Sequence, residues 1–434
     1  MSGRKLIGAP VLLQDWDKEA EEGVAKYWEL FLDLLMVAAA SAVADGLKEN
    51  PTLEGIRDFL ILILLFLNGS TLYIHITTRF EDGSFFHVMI LFIYIVGNAT
   101  CIVNASMEHS TALAAGALLQ RASTMIMVIP IYFSIPRARA FCHMFGRALV
   151  VEIIILSLVV LYNSYAILML SVSVLFELFL ESILSSFLAR EDTIPINIEH
   201  TKDRLGILLL VMLGETVISA TIEHRRVVES EDIIDFAMDY YWVLFWALVL
   251  VFFYTLLFFA MTPPPAFHAF RRSRAHGTSL MVVHKLLCAS VLAVGASVKL
   301  TIESVVKQKD LTDFTINLMS ISVGCSFTLL VVMRMLHFLG VFPTGNEPPC
   351  AIRLMHAWWA VLGVAAVVPF LGLLLRVQDP ISSIAMYACL LFGACLVESA
   401  FTHTLGPYLI QDHRTSERLH LKSDSAEISY QSTV

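Results

Sequence analysis

Read for polarity alone, the chain is a series of oily runs of about twenty residues, separated by short polar breaks. An α-helix needs about 20 apolar residues to cross a bilayer. Windows of that size predict spans near 28–47, 56–78, 85–104, 111–134, 139–162 and 165–188, and again near 204–224, 240–262, 277–303, 313–339, 353–377 and 381–405. The fifth and sixth are parted only by Asn163 and Ser164, so that boundary is the least defined of the twelve. The loops are short and no soluble domain is inserted. The predicted organisation is an N-terminal tail, 1–27, a helical bundle, 28–405, and a C-terminal tail, 406–434. The bundle divides into six spans over 28–188 and six over 204–405. The predicted fold class is all-α: a polytopic integral membrane bundle of about 12 transmembrane helices.

Composition agrees. Of 434 residues, 57% are hydrophobic and 15% charged, and the mean hydropathy is +0.74. A soluble domain carries roughly 25% charge. The net charge of −9 is spread over loops, tails and spans, so it names no partner, and nothing points to nucleic acid. The seven cysteines form no CxxC and no zinc spacing. Most fall in apolar runs, where a cysteine is a small packing residue. The first 27 residues are mixed-charge rather than a basic stub before a short apolar core, so the first span is expected to direct insertion itself.

Lysine and arginine in the loops set the expected orientation. With the N-terminus inside, the inner segments hold seventeen of them and the outer segments seven. Both termini are therefore expected to be cytoplasmic, with the plasma membrane as the location. The serine-rich tail is expected to be disordered. It ends Ser432-Thr433-Val434, a pattern suited to a PDZ groove, where a peptide adds as a strand and its carboxylate enters a backbone nest; the plainer alternative is an inert tail. Of three Asn-x-Ser/Thr triplets, those at Asn68 and Asn98 lie within spans and that at Asn104 hugs the membrane, so none is an expected glycosylation site.

An ionisable side chain at the bilayer centre costs about 2.5–3.5 kcal/mol on the insertion scale, so such residues face the bundle interior and pair. Glu29 and Asp33 stand at i and i+4 on one face of the first span. His75 and Arg79, at the end of the second, return to the same level, which makes a Glu29/Asp33–Arg79 contact an expectation. His200, Asp203 and Arg204 open the seventh span there too. Deeper, Arg121 in the fourth span, Glu177 in the sixth and Glu215 in the seventh fall at about one depth by a 1.5 Å rise per residue, with Glu181 a turn nearer the inner end. Arg121 is the expected partner of Glu215. The second half is quieter: His284 and Lys299 lie in the ninth span, Arg334 and His337 near the inner end of the tenth, and Glu398 and His403 in the last. Arg334 and His337 are expected to snorkel to the interface. Lone intramembrane histidines such as His284 are more often satisfied by a carbonyl or hydroxyl than used as proton carriers.

These residues resemble the bacterial low temperature requirement A family. Trp28-Glu29-Leu30-Phe31-Leu32-Asp33-Leu34 is similar to the family's opening Trp-x-Glu-Leu-Phe-Phe-Asp-Leu, one residue shorter between tryptophan and glutamate. Arg79-Phe80-Glu81-Asp82 matches an Arg-Phe-acid stretch. His200, Asp203, Arg204 and Gly206, leading to Leu213-Gly214-Glu215, are similar to the central motif, with Asp203 in place of a glutamate. His284-Lys285-Leu286 resembles a later His-Leu-Pro-type element but lacks the proline. The resemblance covers about 28–405 and implies a polytopic membrane protein; the serine-rich tail suggests a eukaryotic member.

Three functions remain open from the residues. In the first, Glu215 and Glu177 bind a proton or cation, Arg121 tunes them, and Glu29, Asp33, Arg79, Asp203 and Arg204 form an inner gate of exchangeable ion pairs in a transporter or ion-permeable protein. In the second, the buried pairs only hold a structural or stress-adaptation protein together, each contributing about 0.6–2 kcal/mol. An enzyme is the third and is not expected, since there is no GxSxG, HExxH, nucleotide loop or zinc set. No cofactor or metal is implied. The expected partners are lipid and a small solute or ion, and a homo-oligomer is compatible with the chain.

Overall fold

The computed structural model describes residues 8–13, 27–187, 192–228, 237–263, 267–338 and 348–431. Twelve of its helices are long and apolar enough to cross a membrane. They are α1 (Tyr27–Glu49), α2 (Leu53–Thr77), α3 (Phe85–Val103), α4 (Ser110–Ser134), α5 (Arg139–Leu161) and α6 (Ala166–Phe187), then α7 (Ile198–Val228), α8 (Ala237–Met261), α9 (Arg274–Val306), α10 (Asp313–Phe338), α11 (Pro349–Val367) and α12 (Pro380–Gln431). Helix α12 runs on past the twelfth predicted span, and its side chains are described only to Leu405. Ser432 and Val434, the proposed PDZ ligand, lie outside the described residues.

Local chemistry sets the helix ends. Thr52, Ser84 and Ser273 are N-caps whose hydroxyls accept from the backbone N–H groups of Gly55, His87 and His276, which satisfies donors a helix start otherwise leaves orphaned. The doubtful boundary at 162–165 is real: α5 stops at Leu161, a 3₁₀ turn occupies Asn163–Tyr165, and α6 starts at Ala166. The eleventh span is not one helix. After Val367 the chain tightens into a 3₁₀ segment, Val368–Leu371, then a four-residue helix, Gly372–Leu375, which ends on Arg376 in the left-handed region. Pro369 explains the break, because it carries no N–H for the α-helical ladder.

The chain order is not the spatial order. Helices α2 and α9 are the most enclosed, with 83% and 72% of their apolar windows buried. Helix α9, from the second half, packs on α1, α2, α6 and α7 as well as on its sequence neighbour α10, so the two predicted sets of six spans interlock. Helix α7 lies mainly on α1, α8 and α9, whereas α4 lies on α3, α5, α2 and α6. One short ladder joins the helices: Val11–Leu12 pairs antiparallel with Phe80–Glu81, fastening the N-terminal segment to the α2–α3 connection.

Charge pairs near the surface behave differently from those inside. Arg376 and Asp313 approach to 3.7 Å with side chains 62% and 74% exposed. Such pairs contribute little because water and salt screen them. Asp313→Asn is expected to leave stability within about 0.5 kcal/mol of wild type, as checked by thermal unfolding in detergent.

Candidate functional site

Among the described residues, most buried ionisable side chains gather at four places. The first is the end of the α1–α7 seam at which both helices begin. Both helices start on the same face and rise side by side, so residues spaced by four on one meet residues spaced by four on the other. Glu29 meets His200, Oε1 to Nε2 at 3.3 Å. One turn on, Arg204 grips Asp33 with two parallel bonds, Nη1 to Oδ2 at 2.7 Å and Nη2 to Oδ1 at 2.9 Å. This is the bidentate geometry a guanidinium offers a carboxylate. The sequence placed these residues at one level but not in these pairs. Asp33 is taken by Arg204, while Arg79 folds back on its own helix, Nη1 donating to the His75 carbonyl at 2.9 Å and lying 3.1 Å from His75 Nδ1. It also stacks over Phe141 at 5.3 Å. Asp203 is exposed whereas His200 and Arg204 are buried, so it does not join the expected gate. The Glu181 side chain lies outside the described residues.

The second place is the interior of the first six helices. Arg121 is fully buried and forms a fork on Glu177, Nε to Oε1 at 2.8 Å and Nη2 to Oε2 at 2.5 Å. Its third arm, Nη1, donates to Gln120 Oε1 at 2.6 Å. Gly69 on α2 makes the room: a Cβ there would lie 3.0 Å from Gln120 Oε1 and 3.1 Å from Arg121 Nη1. Beside this pair is Glu152 of α5, also fully buried, accepting from Ser173 Oγ at 2.6 Å. Glu152 is not among the residues expected to carry the site, although an acid thirteen residues beyond the start of the predicted 139–162 span carries the same signal as Glu177.

The third place corrects the expected Arg121–Glu215 pair. Glu215 instead meets Lys299 of α9, Oε1 to Nζ at 3.4 Å, and accepts from Ser219 Oγ at 2.6 Å. Lys299 also contacts Asp45 of α1. Depth alone does not choose the partner: α4 lies on α3, α5, α2 and α6 whereas α7 lies mainly on α1, α8 and α9, so Arg121 and Glu215 face different neighbours. Helices α7 and α9 close tightly here, because a Cβ on Gly295 would lie 2.7 Å from Thr216 Oγ1. Gly295→Val is expected to push the helices apart, cost about 1–3 kcal/mol and loosen the Glu215–Lys299 contact. Thermal unfolding and a Glu215-to-Lys299 cysteine crosslinking yield would check it.

The fourth place is in the second half and overturns the expectation that Arg334 and His337 reach the interface. Both are buried. Arg334 Nη2 pairs with Glu398 Oε1 at 2.9 Å and Nη1 donates to the Ala260 carbonyl at 3.1 Å. Its guanidinium lies 4.6 Å from the rings of both Phe338 and Trp358, and Trp358 Nε1 donates to Glu398 Oε2 at 2.9 Å. His337 Nδ1 accepts from the Ala269 N–H at 3.0 Å. His284 finds local partners, the Leu205 backbone and, 3.4 Å from Nε2, the Cys288 thiol. Among the described residues, no three His, Cys, Asp or Glu side chains gather as a metal site would require.

A twelve-helix bundle with charged pairs enclosed at several depths defines a multi-pass integral membrane protein. Residues 24–418 match the family model for bacterial low temperature requirement A protein, and the chain belongs to that family. No curated protein and no solved structure matches it.

Proposed function

We propose that the protein is a proton- or cation-coupled transporter or ion-permeable protein of the plasma membrane, with both termini cytoplasmic and its working groups along the α1–α7–α9 seam. The observation that carries this is the position of Lys299. It touches two acids of opposite accessibility: Asp45, whose side chain is 50% exposed, and Glu215, which is fully buried. A single ammonium shared between an open and a sealed carboxylate is a unit that a proton or cation can disturb. Protonating or loading one acid releases the lysine toward the other. At the opposite end of the seam, Glu29–His200 and Asp33–Arg204 close the path. Between the two ends α1 presents Met36, Ala39, Ala40 and Val43, all buried and apolar. Charged ends around an apolar middle suit alternating access, in which binding energy at one end shifts the equilibrium of the whole.

A second reading, in which the charges only stabilise a structural protein, is favoured by the two bidentate pairs, Arg121–Glu177 and Asp33–Arg204. In each, two guanidinium N–H groups meet both carboxylate oxygens, and neither pair leaves a carboxylate to exchange.

The test is flux in proteoliposomes with a pH-sensitive dye inside, under imposed proton, sodium and potassium gradients. Glu215→Gln is expected to remove at least nine-tenths of the flux while the unfolding temperature stays near wild type. Absence of flux in the wild-type protein under every gradient would sink the transporter reading. A Glu215→Gln loss that follows a collapse in stability would return the seam to a structural role.

A further inference from the structure

A cleft of about 370 Å³ opens between α7, α8, α9 and α10. One stripe of α7 forms a wall: Asp203, Gly206, Ile207 and Leu210, at i, i+3, i+4 and i+7. Opposite are Phe258 and Phe259 of α8. Leu210 is 39% and Phe259 49% exposed on the outside of the bundle, so the cleft opens sideways at the level where lipid lies. Its polar end is built from three groups. His337 Nδ1 accepts from the Ala269 N–H, so its ring is neutral and the hydrogen resides on Nε2, as a donor. His268, 2% exposed, lies with its ring 4.7 Å from that of His337, and its Nδ1 has no hydrogen-bond partner. A buried polar atom left unpaired is costly. Lys202 lines the same cleft close enough to His268 to act on its charge. Burial lowers the His268 pKa to about 4, with Lys202 adding to the effect, so the two imidazoles present neutral ring nitrogens beside one ammonium. The next residue, Asp203, adds a carboxylate at the rim.

We propose that this cleft binds an amphiphilic zwitterion: an anionic oxygen group held by Lys202, His268 and His337, an ammonium held by Asp203, and an apolar body against Leu210, Phe258 and Phe259. Each part of the lining then has a counterpart. Either a phosphoethanolamine headgroup with its acyl chains or a free apolar amino acid carries this chemistry, and the sideways opening suits the lipid. The assignment holds whether or not the seam conducts.

Native mass spectrometry of the detergent-purified full chain distinguishes the sources. The probes are dioleoyl phosphatidylethanolamine, dioleoyl phosphatidylglycerol and L-phenylalanine. The wild-type protein is expected to retain one zwitterion at 1:1, at least fivefold more strongly than phosphatidylglycerol. Retention of phosphatidylethanolamine alone identifies a lipid site, and retention of phenylalanine a solute site. Lys202→Gln and Asp203→Asn lie at the rim and should leave the unfolding temperature unchanged. Each is expected to weaken zwitterion binding about fivefold to tenfold, and Asp203→Asn to shift preference toward phosphatidylglycerol. No discrete zwitterion adduct, equal binding of phosphatidylglycerol, or rim variants that bind like wild type would each overturn the assignment.

Discussion

Arg121→Met is expected to destabilise the protein by about 3–5 kcal/mol, the usual result of leaving one member of a buried ion pair without the other. The guanidinium is fully buried and three of its nitrogens are engaged, two by Glu177 and one by Gln120. Once it is gone, Glu177 stays in a region that already holds Glu152 and has lost its cation. The double variant Arg121→Met/Glu177→Met is expected to recover most of the loss, because an apolar pair of similar volume avoids both desolvation penalties. Equilibrium unfolding of the purified protein in mixed micelles measures both. A double variant as unstable as the single one would show that the pair is not an isolated unit and that Gln120 and Glu152 share its energy.

The second large effect is expected at the Asp33–Arg204 end of the seam. Arg204→Leu leaves Asp33 without its two charge-assisted bonds and should cost about 3 kcal/mol. Asp33 is slightly open to solvent, with an 11% exposed side chain, so the loss should fall short of that at Arg121. The exchange Asp33→Arg/Arg204→Asp keeps both charges and the spacing between parallel helices. It should restore at least half of the stability lost in either single variant. Failure of the exchange would mean that the carboxylate is held to α1 by more than its partner, with the neighbouring Glu29–His200 contact the first place to look.

How much of this was written in the sequence depends on whether a feature is local or pairwise. Span existence is local: twenty apolar residues must be covered by lipid or protein, and even the bare Asn163-Ser164 break marks a true boundary. Burial of charge is nearly local too, since an arginine in the middle of a span has nowhere else to go. Arg121, Glu177 and Glu215 are all buried as expected. Partner choice is not local. It depends on which helices adjoin, and the crossing of α9 into the first half, which brings Lys299 to Glu215, leaves no mark in either helix alone. Arg334 shows the limit of a rule about side-chain length: snorkelling fits an arginine near a helix end, but Glu398 arrives from a helix more than sixty residues later. Pro369 breaks the eleventh span without a mark in hydropathy, which does not register a missing N–H.

The enclosure of α2 sets an order on how the chain can be made. This helix holds Asn68, Thr71 and His75 on surfaces that the finished protein covers, and one of its coverings is α9, synthesised about 200 residues later. At about 5–20 residues per second of translation, α2 waits roughly 10–40 seconds beside lipid or the insertion machinery before that neighbour exists. Its near-continuous leucine and isoleucine run, residues 59–67, can hold it in the bilayer through that interval; Asn68 is met by the Val174 carbonyl once α6 is in place, and the covering by α9 comes last.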